Sequence, residues 1–353
     1  MSFPPLRDDL TLVEGYHSAQ VSVSVRLNVN ESPFPPPPGW RHAYLEELGN
    51  VPFHRYPDRR ARALREAIGA SHGVAPDHVF PGKGSNEVLQ ALCLAYGGPG
   101  RSVAVFEPTY ALHSHIARIT GTAVAVGQRE HDFTLDLDAV RRVLHDAQPA
   151  ITFLTTPNNP TGLVEPRQVV EAVLDMAPGL VVVDEAYGQF APWSALDLLA
   201  DDRPLAVTRT YSKTWSMAAL RLGYLIAPPQ VVDALWQVIL PYHLDAASQI
   251  AGRVALRFQA EMEARVDAVV HERERLTDCL RQLPVQVWPS GANFVLFRPL
   301  AVDSPAVWKG LVDRSVLVRD CSSWPRLGGC LRVTVGTHDE NDAFLAALKE
   351  VFA

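Results

Sequence analysis

The sequence predicts an α/β fold: a large domain on a mostly parallel sheet with helices on both faces, a smaller α+β domain after it, and an N-terminal arm before it. Two observations predict the large domain. Short apolar runs rich in Val and Ile recur at residues 103–106, 122–126, 151–155, 180–183, 205–208 and 224–227, and helical patterns lie between several of them. Runs that do not alternate with polar residues are buried on both faces, as strands of parallel sheets with crossover helices are. A third observation predicts the small domain: residues 229–284 read as helical, and short strands mixed with helices follow them.

The elements follow in order. Pro33, Pro35, Pro36, Pro37 and Pro38 sit close together. Proline stiffens the chain and removes donors, so residues 1–40 read as an extended arm rather than a packed layer. Residues 41–245 form the large domain, with helices at 60–70, 86–96, 137–144 and 166–176 between the apolar runs. Residues 246–353 form the small domain, with strands at 285–288, 294–297, 316–319 and 331–335. Its helices begin at Ser304-Pro305, an N-cap and first-turn pair, and at Thr337-His338-Asp339-Glu340, a capping box. The charge run His271-Glu272-Arg273-Glu274-Arg275 reads as a solvated helix face.

Composition narrows the function. Of 353 residues, 47% are apolar and 20% charged, which excludes collagen, coiled coil and wholesale disorder. The net charge of −7, with no basic block, argues against a nucleic-acid partner. No apolar run reaches the roughly 18–20 residues that span a bilayer. The first ten residues hold no basic stretch followed by an apolar one, which predicts a cytoplasmic protein. The four cysteines, Cys93, Cys279, Cys321 and Cys330, form no C-x-x-C pair and read as packing thiols. His113 and His115 point to different faces of a helix, so no metal site is expected there. The basic residues include only four lysines, Lys83, Lys213, Lys309 and Lys349, so chemistry that needs an amine has few places to run.

Ligands of open α/β sheets bind beyond the carboxyl ends of the strands. Four groups of reactive residues lie at such positions. Gly82-Lys83-Gly84-Ser85-Asn86-Glu87 opens a helix, where close backbone approach and free N–H groups suit an anion. Thr156-Pro157-Asn158-Asn159-Pro160-Thr161-Gly162 is a turn with an amide to offer a ligand oxygen. In Val181-Val182-Val183-Asp184-Glu185-Ala186-Tyr187, a carboxylate ends a buried strand, which is costly unless it meets a cation or donors. Thr208-Arg209-Thr210-Tyr211-Ser212-Lys213, with Arg221, sets a partly desolvated lysine beside hydroxyls and a permanent cation. One ligand answers all four: a carbonyl for Lys213, a phosphate for Ser85, Thr210, Ser212 and Arg221, a ring nitrogen for Asp184, and a ring oxygen for Tyr187 and Asn159. Pyridoxal 5′-phosphate has these groups, with Asp184 keeping its ring an electron sink and Tyr110 placed to stack on its face.

Over nearly its whole length the chain resembles the fold-type I pyridoxal-phosphate-dependent aminotransferases, and among them the histidinol-phosphate aminotransferases. The resemblance runs through Arg26-Leu27-Asn28-Val29-Asn30-Glu31-Ser32-Pro33, Arg55-Tyr56-Pro57-Asp58, Gly84-Ser85-Asn86-Glu87, Pro157-Asn158-Asn159-Pro160-Thr161-Gly162, Asp184-Glu185-Ala186-Tyr187 and Ser212-Lys213. It continues in Pro241-Tyr242-His243-Leu244, Ser290-Gly291-Ala292-Asn293-Phe294-Val295-Leu296-Phe297 and Leu331-Arg332-Val333-Thr334-Val335-Gly336.

At matching positions the resemblance implies that Lys213 bonds the cofactor and carries catalysis with Asp184 and Tyr187. It implies that Gly84, Ser85, Asn86, Tyr110, Asn159, Thr210, Ser212 and Arg221 help hold the cofactor, and that Tyr56 reaches across a homodimer interface. Arg319 and Arg332 would grip the substrate anion with Asn159, helped by Tyr16 on the arm. The implied reaction is a ping-pong exchange between histidinol phosphate or imidazole acetol phosphate and glutamate or 2-oxoglutarate. Three features depart from the commoner pattern: Lys83 before Gly84, the bulky Thr214-Trp215-Ser216-Met217, and Gln20 and Val21 after the arm tyrosine. They bear on substrate choice, for which the rivals are an aromatic-amino-acid aminotransferase and a threonine-phosphate decarboxylase.

Overall fold

The computed structural model describes residues 3–5, 10 and 21–353. In chain order the elements are β1 (Val25–Leu27), α1 (Pro38–Gly49), α2 (Arg62–His72), β2 (Val79–Gly82), α3 (Ser85–Tyr96), β3 (Ser102–Glu107), α4 (Leu112–Ile119) and β4 (Ala123–Gln128). Then come α5 (Leu137–Ala147), β5 (Ile151–Thr155), α6 (Arg167–Met176), β6 (Leu180–Asp184), β7 (Leu205–Thr210), β8 (Gly223–Ile226), α7 (Pro229–Val238) and α8 (Ala246–Ala255). The chain closes with α9 (Gln259–Arg281), β9 (Val285–Val287), β10 (Phe294–Pro299), α10 (Ser304–Asp313), β11 (Val316–Asp320), β12 (Leu331–Thr334) and α11 (His338–Phe352).

Seven strands form one sheet in the order β2-β8-β7-β6-β5-β3-β4, and five form a second in the order β1-β11-β12-β10-β9. Strands β4, β3, β5, β6 and β7 are parallel, and β8 runs against β7 and β2. The expected mostly parallel sheet is therefore present. Alternation along β3 shows why both of its faces are covered. Val103 and Val105 pack with residues of α3, α4 and α7, while Ala104 and Phe106 pack with residues of α5 and α6. A third cluster joins α1, α2 and α8 to Val79, Tyr224 and Ile226 at the β2–β8 edge. The small sheet packs on α9, α10 and α11, and its core also takes in Leu27, Tyr187 and Phe190. Among the described residues no helix is long and apolar enough to cross a membrane.

Four expectations need correction. Residues 1–40 are not wholly an extended arm. Val25–Leu27 pairs in parallel with Val316–Val318 as an edge strand of the small sheet, and α1 already begins at Pro38. The alternating Val21-Ser22-Val23-Ser24-Val25 carried that signal, and the neighbouring prolines masked it. Strand β2 was not anticipated because Pro81 and Gly82 argue against a strand, but it lies at a sheet edge, where proline is tolerated. The N-cap of α10 is Asp303 rather than Ser304, while the Thr337–Glu340 capping box forms as expected. Within the charge run on α9, Glu272 is not merely solvated: it accepts from Arg275, His338 and Asn341, tying α9 to α11.

Candidate active site

The carboxyl ends of the parallel strands converge on one edge of the large sheet. Asp184 is the last residue of β6, and only 2% of it is exposed. Its Oδ2 lies 3.0 Å from His113 Nε2, and its Oδ1 accepts from the Ala186 backbone N–H at 3.0 Å. His113, on α4, is wholly buried and stacks flat on Phe153 with ring centroids 4.6 Å apart. Its Nδ1 has no partner, so the network assigns the proton to Nε2, which donates to Asp184. Tyr110 meets the same imidazole edge-on, and its hydroxyl lies 3.2 Å from Asn86 Oδ1.

His113 is a site residue that sequence reasoning passed over. It was weighed only as half of an H-x-H metal pair, whereas its partner is a carboxylate 71 positions away. Among the described residues no cluster of three metal-ligating side chains occurs.

Lys213 follows β7. Its Nζ donates to the Val29 carbonyl at 3.0 Å and sits 5.8 Å from the centre of the Tyr187 ring. Its pKa falls from 10.5 to about 7, chiefly because burial penalises the ammonium. Arg332 and Arg221 lower it further, and Glu31 opposes them. The unfolded chain thus holds a proton on this amine up to about pH 10.5, the folded chain only to about 7. The penalty is complete below pH 7, shrinks as pH rises, and vanishes above about 10.5. Lys213→Met is therefore expected to gain more stability over wild type at pH 6 than at pH 10, as read from urea melts of cofactor-free protein. Equal differences at the two pH values would contradict a buried neutral amine.

The candidate anion site lies at the start of α3. Gly84, with φ of 84°, is its N-cap, and no side chain caps the helix. A Cβ at Gly84 would lie 2.8 Å from Arg221 Nη2, and one at Gly223 would lie 2.3 Å from the Ser85 nitrogen. Two glycines thus keep the helix N-terminus and a guanidinium close together, an arrangement that suits phosphate. Arg221 Nη1 donates to Ser212 Oγ at 3.2 Å, and the Ser212 N–H donates to Thr210 Oγ1 at 3.1 Å. Gly84, Ser85, Thr210, Ser212 and Arg221 therefore come together as the sequence suggested. Lys83, just before Gly84, bridges to Asp245 and donates to Ser248 Oγ at 2.8 Å.

Opposite this edge stands the small sheet. Arg319 and Arg332, thirteen positions apart in sequence, are direct cross-strand partners on β11 and β12. Both are buried, with 9% and 4% of their surface exposed. Arg332 donates to Asn159 Oδ1 at 2.5 Å and to the Asn28 carbonyl at 3.1 Å, with its guanidinium over Phe294. Its Nε is buried without an acceptor, and among the described residues no carboxylate pairs with it. Arg319 lies over the Trp324 ring, 5.4 Å from its centre. Like charges directly opposite on a sheet repel, and the Arg332 guanidinium is buried without a carboxylate among the described residues, so an anion at Arg332 would be stabilising. Asn159 gives its oxygen to Arg332, which leaves its NH2 as the group it can offer a ligand.

One expected residue is not brought into this cluster. Tyr56 is 79% exposed and stacks on Tyr242, with ring centroids 4.5 Å apart. Tyr16 lies outside the described residues, as does Gln20.

The chain is similar to known proteins in both sequence and fold. The sequence profile of the class I and II aminotransferases matches residues 23–348. The chain is 42% identical over 359 residues to a histidinol-phosphate aminotransferase of Mycobacterium marinum, covering 99% of this chain and 93% of that one. It is 45% identical over 360 residues to the enzyme of that name from Frankia casuarinae, covering 98% and 89%. Among solved structures, the histidinol-phosphate aminotransferase of Sinorhizobium meliloti in complex with pyridoxal-5′-phosphate superposes with a TM-score of 0.85 at 24% identity, covering 94% of this chain and 91% of that one. That of Clostridium acetobutylicum gives 0.86 at 22% identity, covering 93% and 99%. These two likenesses establish the shared fold.

Proposed function

The chain belongs to the class I and II aminotransferases, and from that membership we propose that it exchanges an amino group between histidinol phosphate and 2-oxoglutarate with pyridoxal 5′-phosphate as cofactor. The observation that carries this reading is one juxtaposition. Lys213, an amine whose pKa burial lowers to about 7, stands close enough to Arg332 to feel its charge, and Arg332 is a buried guanidinium with no carboxylate partner among the described residues. One group suits proton transfer on an amino acid, and the other suits a substrate anion.

The residues present fit the cofactor. Ser85, Asn86, Thr210, Ser212 and Arg221 would hold its phosphate at the uncapped start of α3. Asp184 would hold the ring nitrogen, with His113 orienting the carboxylate. Tyr187 and Asn159 would meet the ring oxygen, and Tyr110 the ring face. When bound, pyridoxal 5′-phosphate supplies an aldehyde and an electron-accepting ring.

The chain's own groups do the rest. Lys213 Nζ would take the proton from the substrate α-carbon and hold it for return, while the bound cofactor would supply the electron sink. A base with a pKa near the working pH does both halves of that transfer efficiently. Asp184, buried and aligned by His113 and the Ala186 N–H, would stabilise the transition state electrostatically. Arg332 and Arg319 orient the substrate anion, and paired guanidiniums can serve a carboxylate in one half-reaction and a phosphate ester in the other.

The same reading makes the chain a cytoplasmic homodimer. The exposed Tyr56–Tyr242 stack, with Phe53 and Leu240 each 76% exposed, supports an interface. A cavity of about 320 Å³ lined by Arg55, Tyr56, Asp58 and Arg253 adjoins Tyr56. The domain limits at 40/41 and 245/246 belong to this proposal too, with β1 assigned to the small sheet.

The test is a donor panel with 2-oxoglutarate, read as glutamate formed. We expect kcat/KM for histidinol phosphate to exceed that for phenylalanine by about 100-fold or more, because a phosphate ester offers Arg319 and Arg332 more charge and more acceptor oxygens than the single carboxylate of phenylalanine does. A preference for phenylalanine would overturn the assignment of substrate.

A further inference from the structure

The turn after β1 touches three of the site's chemical groups with three consecutive residues. Asn28 accepts Arg332 Nη2 at 3.1 Å, Val29 accepts Lys213 Nζ at 3.0 Å, and Asn30 Nδ2 donates to the Tyr187 hydroxyl at 2.9 Å. The first two contacts use backbone carbonyls, which any residue provides. The third uses a side chain, and its surroundings are specific.

Asn30 is 1% exposed and sits in the left-handed region with φ of 56°, a conformation asparagine tolerates better than most residues. Its N–H donates to Thr334 Oγ1 at 3.0 Å, and its carbonyl accepts Asn293 Nδ2 at 3.2 Å. Thr334 Oγ1 in turn lies 3.1 Å from Asn30 Oδ1 and donates its single proton there. With Oδ1 accepting from Thr334, the amide NH2 faces Tyr187. An NH2 can only donate. The Tyr187 oxygen therefore accepts from Asn30, and its own proton is directed elsewhere. A donor resting on a phenol oxygen also favours charge on that oxygen, which makes the phenol a stronger donor in turn.

We propose that Asn30 is a positioning residue that fixes Tyr187 as the hydrogen-bond donor toward the ring oxygen of the bound cofactor. This rests on the function proposed above and adds to it a residue that does not touch the cofactor itself. The chain of contacts runs from β12 through Thr334 and Asn30 to Tyr187, so the small sheet helps set the polarity of a group on the large domain.

The test uses holoenzyme and reads the visible absorbance of bound pyridoxal phosphate against pH in wild type, Asn30→Asp, Tyr187→Phe and the double variant. Asn30→Asp keeps the shape but can only accept, so it draws the Tyr187 proton onto itself. Its absorbance midpoint should move in the direction of Tyr187→Phe and at least half as far. In the Tyr187→Phe background the same substitution should move it by less than roughly 0.3 pH unit, the usual limit of additivity. Cofactor affinity, measured by equilibrium dialysis, should fall about tenfold in Asn30→Asp.

Thr334→Val removes the hydroxyl that orients the amide without adding charge. It should give a smaller shift of the same sign, and it stands in if Asn30→Asp does not fold. An unmoved midpoint in Asn30→Asp, or a shift that persists without the Tyr187 hydroxyl, would overturn the proposal. A wild type that gains no visible band with pyridoxal phosphate would refute the proposed function and this inference with it, whereas a band without the shift refutes the inference alone.

Discussion

Replacing Lys213 with alanine is expected to lower kcat for transamination by about 10⁴-fold or more. Positioned proton transfer alone contributes roughly 10²–10⁴-fold, and loss of the nucleophilic amine adds to it. No other lysine can stand in. Lys83 is paired with Asp245, Lys309 is paired with Asp313 on an exposed helix face, and Lys349 is exposed near the end of α11. The variant should fold, because removing a buried amine that resists charging relieves a cost rather than creating one. Added ethylamine should restore part of the rate, which separates lost chemistry from lost structure. Turnover within tenfold of wild type would remove Lys213 from the mechanism.

Asp184→Ala is expected to lower kcat by about 10²–10³-fold, the range seen when one aligned electrostatic contact is lost from a dry site. The structural reason is its position: a carboxylate at the end of β6, 2% exposed, aligned by His113 and by the Ala186 N–H. His113→Phe keeps the stack on Phe153 but removes the hydrogen bond, and should cost about tenfold, since it disturbs the orientation of the carboxylate rather than its charge. The order of the two effects is the informative result. If His113→Phe were as damaging as Asp184→Ala, the imidazole would be acting on the reaction directly. Steady-state rates with saturating cofactor, alongside thermal melts, distinguish these cases.

Much of the site was readable before any coordinates. Lys213 and Asp184 each lie at or just past the end of an apolar run, and strand ends are where open α/β sheets bind ligands. The uncapped, glycine-flanked start of α3 was likewise legible as an anion site. Residues whose roles depend on distant partners were not. His113 looked like half of a poor metal pair because nothing local points to Asp184. Asn30 stood inside a recognised motif without a role, because its partners Tyr187 and Thr334 are 157 and 304 positions away. The prolines around residue 35 outweighed the alternating valines before them, and so β1 was read as part of an arm.

By itself the sequence determined the α/β architecture and the family resemblance, and it pointed to the amine, the carboxylate and the candidate anion site, because each is written in short-range spacing and in the periodicity of apolar residues. Tertiary structure alone decided that Arg319 faces Arg332, that β1 crosses to the small sheet, and that Asn28, Val29 and Asn30 reach three site residues. Register and cross-domain contact arise from packing between segments far apart in the chain, and spacing along the chain carries no record of which of them meet.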